Sequence, residues 1–373
     1  MSAADPTPQP PGVPDPTPRS IPAEAHADAQ WMLAMLVGGE ALSEPESELL
    51  FELLLTGGLD EAQTGALLAL LQRRGPTADE LTGAARAMRR HAAPIGYTPA
   101  PDERLIDTCG TGGAPKTFNI STAAALIAAA AAPENGVSRV VVAKHGNRSR
   151  TGRGSAELLE DLGVNIDAGP ERQAACLRET GVCFCFAIHH HPAMRYALGP
   201  RRSLGFPTVF NLLGPLTNPA GATRQLLGVY EPRFVPLVAD ALARLGADRA
   251  MVVHGEDGLD EITTTTTTTI AEVSHSHVTP GEIDPRRLGL PRAALADLRT
   301  GDLGSAAGAV RSVLDGEPGP RADIALLNAA AALLVGGACD DLAEGLELAR
   351  RAVADGAARR TLESLGRVSH AGG

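Results

Sequence analysis

Residues 107–113 read Asp107-Thr108-Cys109-Gly110-Thr111-Gly112-Gly113, and Asn119-Ile120-Ser121-Thr122 then opens an alanine-rich run. The apolar pair Leu105-Ile106 leads into the glycines, so the order predicts a strand, a tight turn and a helix. Glycines after a strand let backbone N–H groups approach an anion without Cβ interference. The start of the following helix adds N–H donors and a dipole that favours phosphate. The turn is neither a Walker loop nor a GxGxxG fingerprint, so those nucleotide folds lose ground.

Working outward, apolar runs recur at residues 140–143, 182–187, 226–230 and 250–253, with amphipathic helical stretches between them. That alternation predicts an α/β domain with a mostly parallel sheet covered by helices. The chain beyond residue 303 is Ala/Leu-rich and helical. Thr263 to Thr269 is an unbroken threonine tract, and its β-branched side chains predict a strand with one polar face, with a disordered tract as the second reading. Residues 21–98 read as helices alone, with apolar clusters at Trp31 to Leu36, Leu49 to Leu54 and Leu67 to Leu71. Ser43 with Glu46, and Thr77 with Glu80, have capping-box spacing, and Gly75 sits where a helix would stop. Ala-Pro pairs around residues 93–101 suggest a linker, and the Pro-rich, polar residues 1–20 a disordered tail.

The unusual residues share a placement. Gly110 to Gly113 follows the first strand and Lys144-His145-Gly146-Asn147-Arg148 the second. His189-His190-His191 follows the third, and His254-Gly255-Glu256-Asp257-Gly258-Leu259-Asp260-Glu261 the strand ending at Val253. Ligands of open α/β sheets bind beyond the carboxyl ends of the strands, so these motifs point to one cleft. Two fixed cations within five residues, followed by Arg150 and Arg153, suit an anionic ligand. Clustered carboxylates beside a phosphate site are the usual way to hold Mg²⁺. Three adjacent histidines cannot all face one metal, so the expectation is one histidine in the cleft and two solvated. Arg201, Arg202 and the apolar Gly/Pro-rich segment from Phe210 to Pro219 suit a small aromatic or carboxylate ligand.

Composition narrows the partners. The chain has 373 residues, about two domains' worth, and 33 basic against 44 acidic side chains leave it at −11. That balance argues against a nucleic-acid or anionic-membrane binder. No stretch approaches a membrane span, and the N-terminus has no signal-peptide pattern. Five scattered cysteines, an odd number, fit buried reduced thiols in a cytoplasmic protein. Only two of the basic side chains are lysines, Lys116 and Lys144, and both fall in the proposed phosphate loops.

In order, GTGG with TFNIST, KHGNR, HPAMR, FNLLGPLTNP and HGEDGLDE resemble the anthranilate phosphoribosyltransferase family, from about residue 23 to at least residue 335. The resemblance implies an enzyme that joins anthranilate to phosphoribosyl pyrophosphate (PRPP), releasing pyrophosphate, in the second step of tryptophan biosynthesis from chorismate. It implies a small N-terminal helical domain (21–98, completed by 192–213), a larger α/β domain (99–191 and 214–373), an active site in the cleft between them, and a homodimer. Carried over residue by residue, Gly110, Thr111, Gly112, Gly113, Asn119, Ser121, Thr122, Lys144 and Ser155 would hold PRPP. Ser121, Asp260 and Glu261 would hold two Mg²⁺ ions. Gly110, Asn147, His191, Arg201 and Gly214 would meet anthranilate, with Arg201 on its carboxylate. Lys144, Asp260 and Glu261 would act electrostatically, and no side chain is assigned as acid, base or nucleophile. The chain departs from the family in two PRPP-side loops, between Gly113 and Thr117 and between Lys144 and Ser155, each one residue short. Lys116 sits in the first, has no family counterpart, and is expected to supply charge to PRPP. Rival readings are a pyrimidine nucleoside phosphorylase, whose loops should lack the paired carboxylates, and a non-catalytic nucleic-acid-binding relative, which would need a basic groove.

Overall fold

The computed structural model describes residues 23–133, 136–137, 139–149 and 152–371. The proposed tail (1–20) and Arg150 lie outside the described residues. Four helices come first: α1 (Ala23–Val37), α2 (Glu44–Leu55), α3 (Glu61–Arg74) and α4 (Ala78–Arg90). The starts of α2, α3 and α4 are fixed by side chains that satisfy backbone donors. The Ser43 N–H and hydroxyl both donate to the Glu46 carboxylate, at 2.7 and 2.6 Å. Thr77 and Glu80 satisfy each other's N–H groups, and Gly75 (φ +85°) ends α3 as expected. The Asp60–Gln63 cap on α3 is a third such box, which the sequence reading missed.

The α/β part follows in chain order as β1 (Glu103–Gly110), α5 (Ile120–Ala130), β2 (Arg139–Gly146), α6 (Ser155–Asp161), α7 (Pro170–Thr180), β3 (Val182–Phe186) and the short α8 (Ala187–His190). Next come α9 (Arg195–Leu204) and α10 (Phe210–Leu213), then β4 (Arg224–Gly228), α11 (Phe234–Arg244), β5 (Arg249–Gly255), β6 (Thr268–Ser274) and β7 (His277–Ile283). Helices α12 (Leu295–Leu298), α13 (Leu303–Leu314), α14 (Pro320–Gly336), α15 (Leu342–Ala354) and α16 (Ala357–His370) complete it. The sheet order is β3-β2-β1-β4-β5-β6-β7, parallel from β3 to β5 and antiparallel for the last two pairs. The chain moves one way from β1 to β2 and the other way to β4. The crevice of this sheet therefore opens between β1 and β4.

Alternation along the strands divides the core. Leu226, Met251 and Val253 join the cluster under α5 and α14, whereas Leu227, Ala250 and Val252 face α11 and share a cluster with α1 to α4. Ala197 of α9 and Phe210, Leu212 and Leu213 of α10 enter that second cluster, so the 192–213 segment packs with the helical bundle. Across the hinge, Ala93 and His190 exchange hydrogen bonds, Ala93 N–H to the His190 carbonyl and His190 Nδ1 to the Ala93 carbonyl, each 2.8 Å.

Two expectations are corrected. The threonine tract is not a strand: only Thr268 and Thr269 enter β6, while Thr263 to Thr267 form a bent loop. The hydroxyls of Thr263 and Thr265 bond Asp257 within the loop, so β-propensity is overridden there by local hydrogen bonding. The run at 226–230 leaves strand geometry at Gly228, two residues early. All five cysteines are free and buried, and no helix among the described residues is long and apolar enough to cross a membrane.

The packing of α2 on α4 gives a stability test. A Cβ at Gly83 would lie 2.2 Å from the Glu44 carbonyl, whereas one at Gly65 in α3 meets nothing within 4 Å. Gly83→Ala is expected to destabilise the protein by about 2 kcal/mol or more through overpacking. Gly65→Ala should stabilise it by about 0.5–1 kcal/mol through helix propensity. Denaturant unfolding of the two variants checks both signs.

Candidate active site

The site is built where β1 and β4 end side by side, with Gly110 paired to Gly228. A Cβ at Gly228 would lie 1.7 Å from the Asp260 carbonyl oxygen, and one at Gly110 2.5 Å from Asp260 Oδ2. Glycine at both positions lets the 256–261 loop fold down over the strand ends. The Gly112 N–H donates to Asp260 Oδ2 at 3.1 Å, and the Thr111 N–H to the Gly228 carbonyl at 2.9 Å. Gly112 and Gly113 take positive φ (+65° and +98°), which turns the chain back across the cleft. The N–H groups of Gly113 and Ala114 have no protein partner among the described residues, leaving donors for an anion.

Glu261 lies under the start of α5, where its Oε1 accepts the Ser121 N–H at 3.1 Å. Burial, reinforced by the neighbouring Asp260 charge, pushes the Glu261 carboxyl up to about 8. Burial likewise raises Asp260, and Lys116 is among the cations that oppose the shift. Lys144 is buried, and its ammonium donates to the Thr108 carbonyl (2.6 Å) and to Ser121 Oγ (3.1 Å). Burial lowers its pKa, opposed by the charges of Asp107, Cys109, Glu261 and Asp260. The Lys144 ammonium therefore sits behind Ser121. It contributes a positive field and fixes that hydroxyl as an acceptor from it, so the O–H is aimed elsewhere.

The opposite wall carries His145, His191, Gly214 and Arg201. His145 Nδ1 is 3.1 Å from the Gly214 carbonyl, and His145 Nε2 is 3.2 Å from His191 Nε2. A carbonyl only accepts, so His145 carries its proton on Nδ1 and presents Nε2 as a lone pair. His191 must then donate from Nε2, which leaves its Nδ1 an acceptor with no protein partner among the described residues. Burial, assisted by neighbouring histidines, holds His145 down to about 3 and His191 to about 4. The Arg201 guanidinium stacks 5.0 Å from the Phe210 ring centroid, is desolvated enough to lower its pKa, and has no carboxylate partner among the described residues. The Gly214 N–H donates to the Phe210 carbonyl at 3.0 Å, and Asn211 Nδ2 reaches the Thr111 carbonyl at 3.4 Å, linking this wall to the glycine turn.

Other expected residues land differently. Asn119 caps the approach to α5, with its Nδ2 3.4 Å from the Arg153 carbonyl. Thr122 is 1% exposed, its hydroxyl buried without a partner among the described residues and its N–H given to the Asn119 carbonyl. Ser155, at the first turn of α6, packs against Gly146, where a Cβ would lie 2.3 Å from its Oγ. Asn147 is exposed and accepts the Arg148 N–H. Lys116 is exposed, and the adjacent Pro115 lies over Gly258, so the shortened loop rests on the acidic one. Arg153 is engaged within the protein: it donates to the Thr117 and Gly301 carbonyls and to Thr300 Oγ1. Of the three histidines, His189 is solvated and pairs with Asp167, and His191 lines the cleft. His190 is 1% exposed at the hinge, not solvated, because both its backbone and ring bond Ala93. His145 was the residue missed, although it stands inside the KHGNR motif.

No cluster of three or more His, Cys, Asp or Glu side chains suited to a metal occurs among the described residues. Two half-buried, mutually repelling carboxylates beside a hydroxyl are nevertheless what Mg²⁺ uses when phosphate and water complete its shell. The donor set fits that ion and not a protein-caged metal.

A helical bundle set on an α/β domain, with an anion-receptive turn at the seam, is the glycosyltransferase class. Sequence profiles agree: the "Glycosyl transferase family, helical bundle domain" matches residues 32–92 and the "Glycosyl transferase family, a/b domain" residues 102–359. The chain is 47% identical to the anthranilate phosphoribosyltransferase of Moorella thermoacetica, over 89% of this chain and 96% of that one. It is 48% identical to that of Thioalkalivibrio sulfidiphilus, over 87% and 94%. The crystal structure of anthranilate phosphoribosyltransferase from Thermus thermophilus superposes with a TM-score of 0.84 at 41% identity, covering 92% of this chain and all of that one. The Saccharomyces cerevisiae enzyme in complex with PRPP and Mg superposes at 0.81 and 25% identity, over 92% and 98%. The chain belongs to the anthranilate phosphoribosyltransferase family.

The buried imidazoles give a pH test. Their folded pKa values lie below the unfolded value near 6.5, so they stabilise the protein above that pH and cost stability as pH falls toward 4. His145→Gln should lose about 2 kcal/mol less than wild type between pH 6.5 and 4.5. Identical slopes in urea unfolding across that range would contradict the assignment.

Proposed function

We propose that this cleft transfers the phosphoribosyl group of PRPP to the amine of anthranilate, releasing pyrophosphate, and that its two walls divide the work. The observation that carries the reading is Arg201: in a chain at −11, its stacked, partly desolvated guanidinium has no acidic partner among the described residues. Such a group is a receptor for a planar carboxylate or a phosphate, and a nucleoside offers neither. On this reading Arg201 takes the anthranilate carboxylate, with Asn147, His191, Gly110 and Gly214 around the ring. His191 Nδ1 accepts one N–H of the arylamine and turns its lone pair toward the ribose. With its pKa near 4, His191 orients the amine and is not a strong base.

On the other wall, the turn from Gly110 to Gly113, with Asn119, Ser121 and Ser155, takes the pyrophosphate. Thr122, next to Ser121 in α5, belongs to the same PRPP-binding wall. Asp260, Glu261 and Ser121 are the residues that would hold Mg²⁺, as two ions. Bound there, the metal supplies charge neutralisation for the departing pyrophosphate. Lys144 adds its field from behind Ser121, and Lys116 extends positive charge over the short loop beside Asp260. The barrier is breakage of the C1–O bond, so positioning and electrostatics carry the catalysis. We further take the helical domain as residues 21–98 completed by 192–213. A homodimer is supported by the exposed Trp31 and Val37 of α1, 56% and 72% accessible, and a cytoplasmic setting by the buried free thiols.

Loss of anthranilate fluorescence measures the consequences. Arg201→Met should raise KM for anthranilate about tenfold or more while changing KM for PRPP less than about twofold, at the scale of a lost charged hydrogen bond. Equal KM values for wild type and variant contradict the pairing. Asp260→Asn or Glu261→Gln should lower kcat by about 10². Lys116→Ala should raise KM for PRPP, and an unchanged value removes that lysine from the site.

A further inference from the structure

Helix α14 is apolar throughout its buried middle, from Ile324 to Val335, except at Asn328, which is 0% exposed. A buried amide in such a place costs stability unless its donors and acceptor are met. Asn328 Nδ2 donates to the Ile262 carbonyl at 2.8 Å and to the Ile324 carbonyl at 2.9 Å, and its Oδ1 accepts the Ile262 N–H at 3.0 Å. Both side-chain protons and one oxygen lone pair are thereby used. The two bonds to Ile262 reproduce what a neighbouring strand would offer, at a residue that has no such neighbour. Strand β5 has ended at Gly255 and β6 does not begin until Thr268.

Ile262 follows Glu261 directly, so fixing its N–H fixes the peptide that carries the Glu261 backbone. Much of the rest of the loop is tied within itself, with outside bonds from the Gly112, Ser121 and Ala293 N–H groups to Asp260, Glu261 and the Thr264 carbonyl. Asp257 accepts from the hydroxyls of Thr263 and Thr265 and from the Leu259 N–H, and the Thr263 N–H donates to Thr268 Oγ1 at 3.0 Å. Those bonds shape the loop, and Asn328 anchors it to a helix that also packs on β1 and β4. The anchored residue is therefore referenced to the same strands that carry the glycine turn. A leucine at 328 would suit the surrounding helix better, so the amide has a purpose other than core packing.

We propose that Asn328 is a positioning residue for the Asp260–Glu261 pair, holding it in the register that receives metal-bound PRPP. The inference rests on the reading of the cleft given above. It contributes through the Ile262 peptide and touches neither substrate nor metal. Outer-shell groups of this kind typically change metal affinity or activity by 10–100-fold when removed.

The test is calorimetric titration of PRPP into wild type and Asn328→Leu, with Mg²⁺ and with EDTA. The expected result is about tenfold or greater weakening in Mg²⁺, less than about twofold change in EDTA, and an unchanged KM for anthranilate. In a Glu261→Gln background, Asn328→Leu should weaken Mg²⁺-dependent PRPP binding less than about twofold further, because coupled residues are not additive. A folded Asn328→Leu with wild-type affinity in Mg²⁺, or with equal weakening in both media, overturns the proposal. If Asn328→Leu does not fold, Asn328→Asp, which keeps the shape and loses donors, is held to the same two affinities. Wild type that fails to bind PRPP in Mg²⁺ overturns the reading of the cleft itself, and this role with it. Wild-type binding with an unaffected variant overturns Asn328 alone.

Discussion

Gly110 and Gly228 lie side by side at the ends of β1 and β4, and the gap they leave is the constraint on which the rest depends. A side chain at Gly228 would occupy the space of the Asp260 carbonyl, and one at Gly110 that of its carboxylate. Through that gap a loop from the far side of β5 reaches the sheet's crevice and receives a hydrogen bond from the glycine turn. The strand order fixes where the gap falls, since the chain reverses direction across the sheet between these two strands. The helical bundle then supplies the facing wall, because α10 and the segment after it belong to its core.

The electrostatics follow from this closeness. Two carboxylates held together under the start of α5 are each pushed toward the protonated form by burial, Glu261 further by the Asp260 charge. A buried lysine and a backbone N–H offset only part of that cost. Such a pocket is poised for a cation accompanied by phosphate, the combination that relieves both the repulsion and the unpartnered N–H groups of the turn. On the other wall the imbalance has the opposite sign, with Arg201 desolvated and lacking an acid among the described residues. An acidic chain thus excluded polyanion binding only as a whole, and its local cations remain available to small anions. Of the two lysines, one is walled in behind Ser121 and the other stands free at the cleft edge.

Legibility in the sequence was uneven for physical reasons. The strand-end motifs were readable because a glycine run, a basic pentad and an acidic octad each follow an apolar run, and strand polarity gathers them at one edge. The capping boxes at Ser43 and Thr77 were readable because they are local. The threonine tract misled because β-propensity is a weak rule where hydroxyls find nearer partners, here Asp257. His190 misled because nothing in three adjacent histidines tells which one a hinge will bury. The His145–His191 relay required strands β2 and β3 to be laid side by side, and His145 was visible only as part of a motif. Asn328 gave one faint signal, a lone amide in an Ala/Leu helix, with its partner 66 residues away in sequence.

The glycine gap can be closed by a single methyl group, which makes it the most direct test. The rate of PRPP- and Mg²⁺-dependent loss of anthranilate fluorescence should be measured for Gly228→Ala beside wild type, with unfolding midpoints confirming that both are folded. A Cβ 1.7 Å from the Asp260 carbonyl must displace the acidic loop, so kcat should fall by about 10² or more. Wild-type kcat in the folded variant would contradict the account.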